Sequence, residues 1–293
     1  METGGRQLAG IGDAPTARRA LETEPTTPPV RAPNQRSAES SPGSQRTDQL
    51  AGSSGRRLPR NVAFVLDGNR RWAAKRGLSS EEGHLAGGKV AFQRVRDACE
   101  FGIEQLTLFV FSTENSARSV TEIANLMNIF AAALDRGIVE WAPLGIRLRL
   151  MGSRQGLPQA VLDAVDRAEA AMADNDGMDL FIALNYGGRQ EVLNAAQHYS
   201  GGGEAEFERL LYAPEMRDLD LIIRTGGDRR LSNSFLWHSA YAELLFVDEP
   251  WPEFTRERFE LALADFAQRV RTYGSSHRQP DTLETRSGMT DMA

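Results

Sequence analysis

Short apolar runs alternate with stretches of helical periodicity along most of this chain, and that alternation restricts the fold more than any other feature. The runs are VAFVL, QLTLFVF, IRLRLMG, MDLFIAL, LDLIIRT and AELLFV. Each has the length of a β-strand. Several are apolar at consecutive positions, so both faces must be covered, as in a parallel sheet packed between helices. The intervening segments include AGGKVAFQRVRDACEFG, which ends on Gly102 as a C′ glycine, and VTEIANLMNIFAAALDRGIVEWA, with Leu126, Ile129, Phe130 and Ala133 on one face. PQAVLDAVDRAEAAMADN carries proline near its start, RQEVLNAAQHY follows, and Thr255 caps TRERFELALADFAQRVRTYG. The pattern predicts an α/β fold in a single domain, with a mostly parallel central sheet of about six strands flanked by helices.

Residues 1–57 read differently. They are rich in Pro, Gly, Ser, Thr and Arg and carry no periodic apolar pattern, so they cannot bury enough surface to offset the entropy of ordering. The expectation is a disordered tail at 1–57, the domain at 58–275, and a second polar tail at 276–293. No segment has the apolar core of a signal peptide or the ~20 apolar residues of a membrane span, so a cytoplasmic location is expected. The 293 residues carry a formal net charge of −6, which argues against bulk electrostatic binding to nucleic acid. The lone cysteine, Cys99, allows no internal disulfide and no multi-thiolate metal site, and its helical context reads as a buried structural thiol.

Chemistry gathers where four strands end. VAFVL runs into Asp67-Gly68-Asn69-Arg70-Arg71, TLFVF into Ser112-Thr113-Glu114-Asn115, LFIAL into Asn185-Tyr186-Gly187-Gly188-Arg189, and DLIIR into Thr225-Gly226-Gly227-Asp228-Arg229-Arg230. In a parallel sheet these carboxyl ends share one edge, where ligands of open α/β sheets bind. Glycines let backbone N–H groups approach an anion, and arginines offer bidentate bonds to phosphate oxygens. Two Gly-Arg loops therefore point to two phosphorylated substrates, or to one with several phosphates. Asp67 reads equally as a helix cap or ion pair with Arg71 and as a Mg²⁺ ligand beside a phosphate. Glu243, just before an apolar strand, reads as a solvated strand end. Neither a P-loop nor a dinucleotide fingerprint is present, and His84, His198, His238 and His277 show no zinc spacing. Only His84, close to the first loop, is a functional candidate among them.

The segments AFVLDGNRRWA, GHLAGGK, FVFSTEN, LNYGGRQE, DLIIRTGGDRRLSN and AYAELLFVDEPWPEF occur in an order and at spacings that resemble the cis-prenyltransferase (undecaprenyl diphosphate synthase-like) family. The resemblance covers almost the whole predicted domain. It implies that an allylic prenyl diphosphate ionises, that the double bond of isopentenyl diphosphate attacks its C1, and that proton loss leaves a new cis double bond. It further implies Mg²⁺, a homodimer, an apolar tunnel between sheet and helices for the growing chain, and at most peripheral membrane contact through the apolar product.

By position, Asp67 resembles the aspartate that helps hold Mg²⁺, and Glu243 the second Mg²⁺ carboxylate. Gly68, Asn69, Arg70, Arg71 and Trp72, with His84 nearby, correspond to the allylic diphosphate loop. Ser112, Thr113 and Glu114 match a second substrate loop, and Arg118 a substrate-binding arginine. Asn115 matches the position assigned as proton acceptor, although an amide is a poor base and is better suited to orienting water or phosphate. Arg224, Arg230, Leu231 and Ser232 correspond to the isopentenyl diphosphate site. Val110, Met127, Phe130 and Met178 are expected to line the tunnel.

Two positions depart from the family pattern. Ser80 stands where long-chain members usually carry a phosphate-binding arginine, and Ser116 where a tryptophan usually follows the S-x-E-N motif. They motivate a short or medium product, with irregular coupling of two dimethylallyl units as the alternative. A non-catalytic subunit of a heteromeric enzyme would typically lack the aspartate and arginines that this chain retains.

Overall fold

The structure, a computed structural model, describes residues 58–273; the tails expected at both ends, His277 included, lie outside the described residues. Six strands form one sheet: β1 (Asn61–Val65), β2 (Gln105–Ser112), β3 (Arg147–Met151), β4 (Asp179–Tyr186), β5 (Leu221–Arg224) and β6 (Glu243–Phe246). Their spatial order is β3-β4-β2-β1-β5-β6, and every adjacent pair is parallel. The helices are α1 (Asn69–Ala74), α2 (Ser80–Glu100), α3 (Val120–Trp141), α4 (Gln159–Ala171), α5 (Gly188–His198), α6 (Glu204–Glu208) and α7 (Arg256–Gln268).

The continuous apolar character of the strands has a direct cause. All five residues of β1 are buried, with Val62 and Phe64 facing one core and Ala63 and Val65 the other. The first core is the larger and takes in α2, α3, α4 and α7. Phe64 anchors it, with its ring centroid 5.0–5.5 Å from those of Trp251, Phe254 and Phe259. The second core is centred on Phe181, Tyr186 and Phe235 under the opposite face.

Local signals set the helix ends. Ser79 and Glu82 close a capping box at the start of α2, and Ser119 accepts from the Glu122 N–H at the start of α3. Thr255 caps α7 as expected, and Gly102 adopts a left-handed φ of 74° after α2. Cys99 is half-buried, and burial, with the Glu100 charge, pushes its thiol up to about 12, which suits an inert structural residue.

Candidate active site

The parallel sheet delivers all four polar loops to one edge. Val65 at the end of β1 pairs in register with Arg224 at the end of β5. Asp67 therefore leaves β1 beside Arg224, and the two meet at 2.8 Å. The turn that follows demands glycine: Gly68 has φ 101°, and a Cβ there would lie 2.7 Å from Pro250. This turn aims the Gly68 N–H at Asp67 Oδ1 (2.6 Å) and starts α1 at Asn69, bringing Arg70 and Arg71 to the same edge.

Arg224 organises the centre. It is almost fully buried, donating from Nη2 to Asp67 and from Nη1 to Ser232 Oγ (2.7 Å) and to the Arg230 carbonyl (2.5 Å). Those bonds hold the Arg230–Ser232 turn against the sheet. Burial opposes ionisation of Asp67, but the Arg224 hydrogen bond and charge, the Gly68 N–H and the Arg71 charge outweigh it and hold the carboxyl below its ordinary value.

A second carboxylate escaped the sequence reading. Asp228 lies 3.1 Å from Arg71, 2.8 Å from Arg230 and 3.8 Å from Arg224, so it shares two arginines with Asp67. The acid in the Thr-Gly-Gly-Asp loop was the available signal. A carboxylate flanked by cations is ambiguous in sequence, because pairing and ligand binding look alike there.

Two spaces meet at this point. One is a polar pocket of ≈ 770 Å³ lined by Arg70, Arg71, Arg118, Arg230, Asp67 and Asp228, among others. The other is a largely apolar cavity of ≈ 650 Å³ between the sheet and helices α2 and α3. Asp67, Asn69, His84 and Arg118 line both. Several buried polar atoms of residues lining these spaces have no partner: Asn69 Oδ1, Ser80 Oγ, His84 Nε2 and Arg224 Nε; Trp72 Nε1 is also unpartnered, but Trp72 lines neither space. Unsatisfied buried groups in such number mark a site shaped for a polar ligand. Burial, then the Arg118 and Arg70 charges, lower His84 to about 4, so its ring is neutral near pH 7.

The second loop borders the same cavity. Asn115 Oδ1 accepts from the Ser112 N–H (3.1 Å), which fixes the turn Thr113–Ala117. Thr113 donates toward Gln190, and Glu114 accepts from Asn233 Nδ2 (2.6 Å), joining this loop to the one after β5. Ser232, Asn233 and Phe235 all have positive φ, of 53°, 63° and 50°, a strained run held by these contacts and by the burial of Phe235. Leu231 packs on the second core. Ser116 donates to the Thr113 carbonyl (2.6 Å) and stays exposed.

Three expectations need correction. Glu243 begins β6 opposite Leu221, at the amino-terminal edge of the sheet, and accepts from Arg269 at 2.9 Å. It is separated from Asp67 by the length of a strand, so within one chain the two carboxylates do not share an ion. Met127 and Met178 belong to the main core but do not line the cavity, whereas Val110 and Phe130 do. Met127 lies one position round the helix from the cavity-facing Leu126, and Met178 precedes β4 at the far edge. Among the described residues, no group of three or more His, Cys, Asp or Glu side chains is gathered for a metal.

Comparison with known proteins agrees with this architecture. Residues 65–274 match the model of the undecaprenyl diphosphate synthase family. An isoprenyl transferase of Thermotoga maritima is 42% identical over 227 residues, 74% of this chain and 97% of that protein. A ditrans,polycis-undecaprenyl-diphosphate synthase of Legionella pneumophila, described as (2E,6E)-farnesyl-diphosphate specific, is 41% identical over 229 residues, covering 74% and 96%. Among solved structures, lavandulyl diphosphate synthase of Lavandula x intermedia, in complex with dimethylallyl diphosphate, superposes with a TM-score of 0.71 at 30% identity, covering 78% of this chain and 100% of that one.

Proposed function

The chain belongs to the undecaprenyl diphosphate synthase family of prenyltransferases, and from that premise we propose that it is a Mg²⁺-dependent cis-prenyltransferase. It condenses isopentenyl diphosphate with an allylic prenyl diphosphate and yields a Z-configured product of short to medium length. One observation carries this reading: an arginine-lined polar pocket opens into an apolar cavity through Asp67, Asn69, His84 and Arg118. A ligand with a polyanionic head and a hydrocarbon tail matches both halves.

The residues divide the work. Arg70, Arg71 and Arg118 receive the allylic diphosphate, while the Gly68 turn supplies close backbone approach. The allylic C–O bond breaks with its electron pair leaving on the diphosphate, and the guanidinium groups stabilise that growing charge. Arg224, Arg230 and Ser232 hold the second diphosphate, so that the isopentenyl double bond faces the allylic C1. Its π pair forms the new C–C bond, and a proton then departs to a diphosphate oxygen or to water oriented by Asn115.

The donor set fits Mg²⁺. Asp67 and Asp228 stand together, and this ion commonly takes one or two carboxylates plus substrate phosphate oxygens. When bound, it would supply further charge neutralisation at the leaving diphosphate. The reading also includes a cytoplasmic homodimer; among the described residues, no helix is long and apolar enough to cross a membrane.

Incubation with radiolabelled isopentenyl diphosphate and allylic primers of increasing length tests the proposal. Labelled prenyl products are expected in the presence of Mg²⁺. Silence with every primer would overturn it. The likeness to lavandulyl diphosphate synthase favours a second reading, irregular coupling of dimethylallyl units. Absence of product from dimethylallyl diphosphate alone removes that reading.

A further inference from the structure

Three of the strand-end segments converge on a single side-chain amide. Asn233 follows Ser232 in the loop after β5, and its side chain reaches two other segments. Nδ2 donates to Glu114 Oε1 (2.6 Å) in the loop after β2 and to Gln190 Oε1 (3.1 Å) in the first turn of α5. Oδ1 accepts from the Arg189 N–H (2.8 Å), and the Asn233 carbonyl accepts from the Gly188 N–H (2.7 Å). A primary amide has two N–H donors, so both are engaged.

The packing around this amide is tight. A Cβ at Gly187 would lie 2.8 Å from Asn233 Nδ2 and 2.6 Å from Thr113 Oγ1, and closer still to Gln190 Oε1. Asn233 itself has φ 63°, a left-handed conformation that asparagine and glycine adopt more readily than most residues.

The turn that carries Ser232 is thus held at both ends. At its base, Arg224 Nη1 donates to Ser232 Oγ (2.7 Å), and the fully buried Phe235 stacks on Tyr186 with ring centroids 5.7 Å apart. At its tip, Asn233 bonds Glu114, at the rim of the cavity that both residues line together with Ser232 and Asn115. Glu114 is exposed and Asn233 partly so, and a hydrogen bond within reach of water contributes little to global stability. What this bond does set is the spacing between Ser232 on one side and Asn115, next to Glu114, on the other. It also keeps a carboxylate occupied with a donor at the edge of a site that receives anions.

We propose that Asn233 is a positioning residue for the second diphosphate: it clasps the loop after β2 and the start of α5 to the loop after β5, and so holds Ser232 and Arg230 in the geometry that binds isopentenyl diphosphate. The inference rests on the transferase reading above. Asn233 acts through Ser232 and Arg230, without itself bonding the reacting atoms.

Asn233→Asp tests it in the full-length enzyme. The side chain keeps its shape and its tolerance of positive φ, but loses both donors and faces Glu114 with a like charge. With radiolabelled isopentenyl diphosphate and a saturating allylic primer, loss of a hydrogen bond to a charged group is expected to raise the isopentenyl diphosphate KM about tenfold or more. The KM for the primer is expected to stay within about twofold of wild type. Adding Glu114→Gln supplies an amide that can donate back to the new carboxylate, so the isopentenyl diphosphate KM of the double variant is expected to fall below that of Asn233→Asp alone. A role confined to folding would lower the unfolding midpoint and the amount of active enzyme and leave KM in place.

An isopentenyl diphosphate KM within about twofold of wild type in folded Asn233→Asp would overturn the proposal, as would an equal rise in both KM values. A double variant no better than Asn233→Asp would also count against the clasp to Glu114. If Asn233→Asp does not fold, Asn233→Gly decides, since glycine accepts the backbone conformation and removes the clasp. A raised isopentenyl diphosphate KM then upholds the proposal, and an unchanged one refutes it. Wild-type silence with every primer would instead overturn the transferase reading, and this inference with it.

Discussion

Replacing Arg224 by methionine tests the organisation of the site at its centre. The substitution keeps the aliphatic stem, removes the charge and the donors to Asp67, Ser232 and the Arg230 carbonyl, and fills a similar space. Removing one partner from a buried ion pair costs about 3–5 kcal/mol, because the other charge is left uncompensated. Here the Arg224 side chain is 6% exposed but that of Asp67 is 31% exposed, so water recovers part of the loss. The expected destabilisation is ~2–3 kcal/mol, below that range because of this exposure. A double-mutant cycle with Asp67→Asn isolates the pair itself, with an expected coupling of ~1–2 kcal/mol. Urea denaturation at pH 7 measures all four corners of the cycle. That pH lies well above the carboxyl's ordinary value; since the folded state lowers the Asp67 pKa, the pair's contribution is fully present there and fades only as pH falls through the folded value. A coupling below about 0.5 kcal/mol would refute the claim that Arg224 and Asp67 act as one unit.

Other perturbations have equally definite outcomes. Gly137→Ala gains helix propensity but drives a methyl against Trp141 at 2.5 Å; a net loss of ~1–2 kcal/mol is expected, and a raised thermal midpoint would contradict it. Ser80→Arg returns a guanidinium to the head pocket, where one charge-assisted hydrogen bond contributes about 1.5–3 kcal/mol, so the KM for the allylic substrate should fall about tenfold or more; an unchanged KM would show that Arg70, Arg71 and Arg118 already suffice. His238 is 3% exposed, and burial lowers it to about 4. The unfolded chain takes up its proton first, so stability is full above about 6.5 and declines toward pH 4, by ~2 kcal/mol from this residue at pH 5. His84 adds in the same direction, and a flat denaturation midpoint between pH 7 and 5 would contradict both.

The sequence carried the sheet because its inner strands β1, β2, β4 and β5 are buried on both faces and read as apolar runs, while the edge strands β3 and β6 are only partly covered. It carried the loops because a polar cluster directly after such a run has one place to go in a parallel sheet. The same rule places Glu243 correctly: a carboxylate before a strand belongs to the opposite edge, as the structure has it, and the family resemblance displaced that simpler reading. Asp228 was hidden among its own counterions. Trp141 was hidden differently, since a buried aromatic at helical spacing looks the same whether it fills a core or lines a cavity. Met127 and Met178 show the converse, being apolar and buried yet facing the core rather than the empty space. Helical periodicity gives the side of a helix that is buried, and not what lies against it.

The placement of β1 also governs when the site can come into being. This central strand pairs with β2 and with β5, and Asp67 meets Arg224 across a separation of 157 residues. At about 5–20 residues per second, a ribosome takes roughly 8–30 s to go from one to the other. During that interval one edge of β1, apolar and primed for pairing, waits for a strand that has not yet been made. The nascent chain thus carries an unpaired strand edge through that interval, and the two halves of the polar pocket join only once β5 has been made. Slow codons or chaperone contacts between residues 112 and 221 would act on that wait, with consequences for yield and none for the chemistry of the finished enzyme.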